Sequence, residues 1–462
     1  MNHRHNQMTN KEIFNDVPIE KAIRKLIFPT VISQIVMVVY EISDIFIVGL
    51  TNSDEMMTAT TICMPIFMIL NAISNLFGVG ACTFISRCLG RKEEEKAKDS
   101  AAFAIWGSIA FGIFYSLILL LFLNPIIDFI GGKNQIVHSY AKIYLLIVVI
   151  FGGLFSILTN IFSALLRSEG RNKHASRGLI IGGITNMILD PILMFVILPK
   201  GNEILGTALG TMLSNVISLS YFIYLLLTRY KNNNTIINFK FNKEIIDNSI
   251  PESIISNGIP ACIMTLFENI SFAILDGLMA TYGVIAQAGL GVAKKLNMLA
   301  HSCVRGVAQG VMPLLSYNYA AKNTKRFMQS IKITLVYSIS IAGLCTVIYL
   351  LFSNPLISIF IHTSEETIQA GSEFLRILCI GAPFSACIYT FISVFESIGK
   401  GKIAFVLALL RKGAIDIPLM YILNRIIIKY GIVLATPITD LIGCIISIII
   451  YLSFLKLYKS EN

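Results

Sequence analysis

Charge is scarce in this chain. Asp, Glu, Lys and Arg make up 14% of its 462 residues, against about 25% in ordinary soluble domains. With 55% hydrophobic residues and a mean hydropathy of +0.73, that scarcity excludes a soluble globular protein and identifies an integral membrane one. Paired cysteines are lacking too. The nine cysteines stand singly, none in a CxxC pair and nearly all in apolar runs, so they read as small buried hydrophobes and not as disulfides or zinc ligands. There is no GxxxxGK[ST], so the chain hydrolyses no nucleotide and is no primary pump by itself. There is no HExxH and no GxSxG in a plausible setting, which leaves intramembrane hydrolysis unsupported. Neither an enzyme nor a cofactor is expected. A cleavable signal peptide is also missing: the first twenty residues are polar, so the first span is expected to direct insertion itself.

The apolar runs are continuous and helix-length, unlike the short alternating strands of an outer-membrane barrel. Twelve spans are expected, near 24–50, 57–86, 99–123, 140–165, 176–198, 204–228, 252–281, 285–318, 331–353, 368–397, 402–424 and 431–457. The domains that follow are a cytoplasmic segment 1–20, a first lobe 21–228, a linker 229–249, a second lobe 250–457 and a tail 458–462. Basic residues alternate between loops. The loops after spans two, four, six and eight are rich in them, for example Arg87, Arg91, Lys92, Arg167, Arg171, Lys173, Arg229, Lys322 and Arg326. The opposite side holds Lys133, Lys200, Arg425 and Lys429. The positive-inside rule then puts both termini in the cytoplasm of a multi-pass cell-membrane protein. The net charge of +10 is read as basic cytoplasmic loops, not as a nucleic-acid surface.

The halves repeat. LLFLNPIIDFI (120–130) matches LLFSNPLISIF (350–360), RSEGRNKHA (167–175) matches ESIGKGKIA (396–404), and GTALGT (206–211) matches GIVLAT (431–436). Asp190 and Pro191 pair with Asp416 and Pro418, and Pro29 with Pro260. One offset of roughly 230 residues runs through all of these in the same order, which marks two parallel six-helix repeats about an axis along the membrane normal. A central site between two bundles follows.

Acids inside the spans are the candidate functional groups, because a charge at membrane depth is costly and rarely idle. The first span carries Glu41 and Asp44. Ser33, Met37, Tyr40 and Asp44 fall on one helical face, and Pro29 makes the span bent or bendable. Asp44 is read as a carboxylate that exchanges a proton or small cation; the alternative is permanent pairing with a buried base. Asn186 and Asp190 share a face four residues apart, Pro191 frees the carbonyl of Met187, and Thr211 adds a hydroxyl. This all-oxygen set suits H+ or Na+ and no tight metal; the alternative is a structural clamp between helices. Gln34, Met37, Glu41 and Gln309 are candidates for a substrate cleft. In the second half Glu268, Asp276 and Asp440 are candidates for the same chemistry, with Arg305, Arg376, Arg411, Lys294 and Lys295 as bases that could pair with them. Glu396 and Asp416 are expected nearer the solvent.

Taken together, FPTVISQ…VYEISDIFIVG, MPIF…NLFGVGACTFISRCLGR, SEGRNK, NMILDPI, GTALGT, QGVMPLLSYNYAAK, ESIGKGK, IPLMYIL and ATPITD resemble the multidrug and toxic compound extrusion (MATE) family, and within it the MepA-like bacterial branch. The resemblance spans residues 24 to about 457. It implies an all-α, twelve-helix, two-lobe antiporter that exports small cationic, amphipathic drugs or dyes against inward H+ or Na+, acting as a monomer in membrane lipid. It carries the coupling role onto Asp44, Asn186, Asp190 and Thr211, with Glu268 where some members have a second-lobe acid. The sequence departs from the family pattern in the long PKGNEIL loop before Thr211 and in Glu41, where a neutral residue is expected. Superfamily members that flip lipid-linked sugars or polar metabolites are the alternative, although these usually carry more spans.

Overall fold

The computed structural model describes residues 12–231, 235–240, 249–361 and 364–461. Most of the polar N-terminal segment and much of the linker, including Lys243, lie outside the described residues. Fifteen α-helices follow one another: α1 (Ile19–Gly49), α2 (Asp54–Gly90), α3 (Glu94–Leu121), α4 (Leu123–Phe129), α5 (Gln135–Tyr144), α6 (Gly153–Ser168), α7 (Asn172–Ile192), α8 (Glu203–Lys231), α9 (Ser249–Ala280), α10 (Val284–Ala320), α11 (Thr324–Ser358), α12 (Glu365–Cys379), α13 (Ala382–Ser397), α14 (Gly401–Leu409) and α15 (Asp416–Glu461). Short π-helical stretches continue several of them.

Twelve crossing segments result. Eight helical segments are long and apolar enough to span by themselves, and two bent pairs, α5 with α6 and α12 with α13, bring the number to ten. The 58-residue segment Gly401–Tyr458 is two crossings, because the chain turns at Ile428, whose φ is 56°. α10, at 37 residues, is the twelfth. Its Lys294, Lys295, His301 and Arg305 dilute its hydropathy.

The repeat read from the sequence reappears as matching defects in the helices. The α5–α6 pair bends by 43° and the α12–α13 pair by 44°. Just before each Asn-Pro dipeptide the backbone leaves the helix at a phenylalanine: Phe122 (φ −111°, ψ 23°) and Phe352 (φ −118°, ψ 23°). Proline clashes with the carbonyl four residues before it, so equal placement gives equal breaks.

The halves meet at the end of the molecule that carries the termini. There α2 and α9 cross backbone to backbone: a Cβ on Gly80 would fall on the Ile254 carbonyl, and one on Gly258 on that of Leu76. Only glycine allows this approach. Asn172 Nδ2 donates to the carbonyls of Leu26 (2.9 Å) and Gly310 (3.0 Å), tying α1 to α10. Phe14 packs on Tyr317 (ring centroids 5.2 Å apart), and Tyr458 on Tyr319 (6.0 Å), so both ends of the described chain share this face. Gln34–Gln309 (3.4 Å) and Asn75–Thr265 (2.8 Å) are the deepest hydrogen bonds between the halves among the described residues. Beyond them each half keeps its own apolar core. The hydrogen bonds between the halves among the described residues thus gather toward the end where the described chain begins and ends.

Candidate functional site

Among the described residues, each half holds a polar cluster built around its intramembrane acids. In the first half, α1, α7 and α8 bring together Asp44, Asn186, Asp190, Thr207 and Thr211. Thr207 Oγ1 donates to Asp44 Oδ1 at 3.1 Å. Asn186 Nδ2 donates to Asp190 Oδ1 at 3.2 Å and to Thr211 Oγ1 at 3.3 Å. The carboxyl groups of Asp44 and Asp190 lie within hydrogen-bonding reach of each other. Neither acid forms an ion pair among the described residues. Asp190 is fully buried, yet its Oδ2 and the Oδ1 of Asn186 have no hydrogen-bond partner. Buried acceptors without a donor are expensive, so these two oxygens are where a donor or a cation would be best received. A cavity of about 90 Å3 adjoins it, lined by Met37, Tyr40, Glu41, Asp44, Tyr144 and Asn186 among others. Thr211 and Asp190 meet across a close α7–α8 contact, since a Cβ on Gly210 would collide with Asp190 Oδ1.

The second half is built differently. Arg305 donates to Glu268 at 2.7 Å and Arg411 to Asp440 at 3.1 Å, Lys412 to Asp416 at 3.2 Å, and Lys294 pairs with Asp276. Tyr389 organises the centre: its hydroxyl donates to Glu268 (3.2 Å), and Arg411 stacks 4.2 Å from its ring centroid. Ser271 adds a 2.6 Å hydrogen bond to Asp416 and Thr436 one of 3.4 Å. His301 sits 3.0 Å from Ser385 Oγ. Every acid in this cluster has its own base.

The two clusters correspond at three positions. Asp190 matches Asp416, and at the same offset Asn186 matches Lys412; Thr211 matches Thr436. Each partner lies four residues before its acid: Asn186 and Asp190 share α7, while Lys412 sits in the π-helical stretch Leu410–Ala414 just before Asp416 opens α15. At the position four residues before the aspartate, an ammonium in the second half stands where the first half has an amide, and the second half adds Arg411 and Asp440 where the first has Thr185 and Asn215.

A model of the MatE family matches residues 29–192 and 260–422, the same portion of each half and most of the chain. The chain belongs to the MatE family. Multidrug export protein MepA of Staphylococcus aureus (strain MSSA476) is 29% identical over 423 residues, 91% of this chain and 90% of its own length. MepA of Staphylococcus haemolyticus is 26% identical over 440 residues, 95% of each chain. The fold is similar to that of an outward-facing multidrug resistance MATE family transporter of the MOP superfamily, with a TM-score of 0.90 at 20% identity, covering 98% of this chain and 99% of that one. A MATE structure bound to MaL6 gives 0.89 at 20% identity over 98% and 100%. The protein is thus a multi-pass membrane protein of a multidrug transporter family, with the all-helical MATE fold expected from its sequence.

Within this MatE fold several sequence expectations land as read and others shift. Tyr40, Asp44, Asn186, Asp190 and Thr211 come together, and the PKGNEIL loop does not displace Thr211. Asn186 and Asp190 bond within one helix; the link between helices runs to Thr211. Met37 and Glu41 line the cavity, whereas Gln34 and Gln309 are not among its lining residues and bond each other between the halves, with Arg167 on the same Gln309 oxygen (3.2 Å). Pro29 lies within α1. Glu268, Asp276 and Asp440 are all paired with bases. Glu396 and Asp416, expected nearer solvent, are buried at 2% and 0% exposure. Nearness to a span end in sequence is no guide to depth where helices bend and overlap. Arg376 donates to Ser353 Oγ (2.7 Å) and pairs with no acid in the cluster. Thr207 was missed, although it lies one turn before Thr211. Lys412 was missed as well, although the offset that aligned the aspartates also aligns it with Asn186.

Proposed function

We propose that this chain is a multidrug antiporter that exports small cationic, amphipathic compounds across the cell membrane, driven by inward H+ or Na+ through the Asp44–Asn186–Asp190–Thr211 cluster. One observation carries the reading: the first half holds two adjoining carboxyl groups that form no ion pair among the described residues, where the repeat-related site of the second half holds its own lysine in hydrogen-bonding contact. A site that has no tethered cation can take one from solution and give it back, which coupling requires. The donors are all oxygen, which suits a proton or a hard monovalent ion.

In this reading residues 21–228 and 250–457 are the two lobes, and both termini are cytoplasmic, in keeping with the basic loops at that end. With the hydrogen bonds between the halves gathered at that end, the cleft in this reading faces outward. Ionised Asp44 and Glu41 attract an organic cation, with Met37 and Tyr40 offering it an adaptable, aromatic wall. Protonation or ion binding at Asp44 removes that attraction and lets α1 relax about Pro29, so drug leaves as the ion enters. The similarity to multidrug export proteins supports the substrate class.

Asp44→Asn is expected to abolish dye export in a pump-deficient host while the protein inserts at normal abundance. Wild-type resistance at equal abundance would refute the coupling role. For orientation, a cysteine introduced at Ser53, in a background without native cysteines, should label from outside the cell. One at Lys322 should label only after permeabilisation; the reverse pattern would overturn the topology.

A further inference from the structure

A crevice of about 1140 Å3 lies away from both acid clusters, on the flank where α1, α7 and α11 meet near the terminal end. Its lining is ordered along the helix axes. On α1, Lys21, Arg24 and Lys25 are followed on the same stripe by Phe28 and Ile32. On α7, Lys173 and Arg177 are followed by Ile180, and on α11 Tyr337 is followed by Ile341. All three helices thus present polar groups at the terminal end and apolar ones deeper in. The cations outnumber the acids heavily, Glu20 being the one acid among the lining residues. Arg24 is held at the mouth, its Nε donating to Tyr337 Oη at 2.8 Å and its NH2 3.9 Å from Glu20. Phe28, 69% exposed, and Ile32, 36% exposed, leave an apolar floor for something to cover.

We propose that this crevice binds an anionic glycerophospholipid, its phosphate among the Lys21, Arg24, Lys25, Lys173 and Arg177 cations and an acyl chain over Phe28 and Ile32. Charge complementarity chooses the occupant: basic pockets between spans at the cytoplasmic boundary suit anionic headgroups. The dimensions agree, since Lys21 to Ile32 rises about 16 Å along a helix, enough for a headgroup and the upper part of one chain. A neutral drug or a lone acyl chain would gain nothing from the positive charge of this mouth, and an organic cation would be repelled by it. Because α1 and α7 belong to one half and α11 to the other, the lipid bridges the halves at the end where they meet, beside Pro29. The inference rests on the cytoplasmic placement of this end proposed above, but its test reads lipid binding alone and needs no transport.

The test is lipid retention. Purified full-length protein is equilibrated in detergent with equimolar phosphatidylglycerol and phosphatidylcholine, separated from free lipid, and its bound lipid counted by mass spectrometry. Phosphatidylglycerol should be retained about tenfold over phosphatidylcholine. The triple variant Lys21→Gln, Lys25→Gln, Lys173→Gln should lose that preference. The variant Lys325→Gln with Lys332→Gln, which removes exposed cations away from the crevice, should keep it. Equal retention of both lipids, or a preference unchanged in the triple variant, would overturn the proposal. So would complete displacement by excess inorganic phosphate, which would mark an anion site with no need of the acyl chain.

Discussion

The two halves of this transporter solve the same problem in opposite ways. Each sets an aspartate four residues after a polar partner and a threonine opposite it. In the second half the partner is Lys412, which donates to Asp416 at 3.2 Å and is itself buried. In the first half the partner is Asn186, and the acid it bonds, Asp190, adjoins a second acid, Asp44. A paired acid inside a membrane is a strut; on the function proposed above, an acid pair with no ion-pairing base takes its cation from solution. At equivalent positions an ammonium in one half stands against an amide in the other, and under that proposal only the first-half cluster exchanges a cation.

Transplanting the difference tests it most severely. Asn186→Lys places an ammonium where Lys412 stands in the other half, with the adjoining cavity of about 90 Å3 to receive the longer side chain. The variant is expected to insert normally, to lose coupled export entirely, and to bind dye with no dependence on pH or Na+. Asn186→Met, of similar length but uncharged, serves as the control and should keep part of both. Export at the wild-type level by the lysine variant would show that the cluster takes up no cation in transport.

The reverse change probes stability. Lys412→Met leaves Asp416 buried beside Ser271 and Thr436 with no base, and breaking a buried ion pair from one side costs about 3–5 kcal/mol. The apparent melting temperature in detergent should fall sharply. Replacing both members, Lys412→Met with Asp416→Leu, should recover most of that loss, because a buried pair exchanged for apolar residues is often neutral. If the double variant melts as low as the single one, the pair does more than satisfy itself.

Much of this comparison was legible in the sequence. Asn-Pro, Asp-Pro and Gly-Lys punctuation at one offset gave the repeat, and the same punctuation places the helix breaks at Phe122 and Phe352. Asp44 and Asp190 stood out because intramembrane acids are rare. What the sequence did not give was pairing across helices. Glu268 and Arg305 are 37 residues apart and Arg411 and Asp440 are 29 apart. No helical periodicity links such positions; only the packing of α9, α10 and the last two crossings does. Thr207 escaped for the same reason, since its bond to Asp44 joins the first and sixth crossings. The crevice on the flank was equally hidden, because its three stripes lie on helices far apart in sequence.

The mildest test reads the first-half cluster without altering it. If a cation from solution and an organic cation both depend on the charge of Asp44 and Asp190, each must weaken the other by the same factor, since coupling between two binding events is reciprocal. Ionised carboxylates favour the dye, and adding protons neutralises them. Dye affinity for the purified protein should therefore fall as pH drops and recover as it rises. A tenfold loss corresponds to about 1.4 kcal/mol, a modest demand on one carboxylate beside a bound cation. Added Na+ at fixed pH separates the two ions: if it weakens dye binding, sodium occupies the site, and if only acid does, the proton does. The second half supplies the internal control, since Asp416 and Asp440 already hold Lys412 and Arg411 and have no vacancy to fill. Lys412→Met combined with Asp416→Leu, which leaves no acid of that cluster without a base, should thus leave the pH and Na+ response of dye binding in place, while Asp190→Asn should flatten it. A flat response in the wild type under both titrations would assign the first-half cluster to structure, and the contrast between the halves would then have another cause.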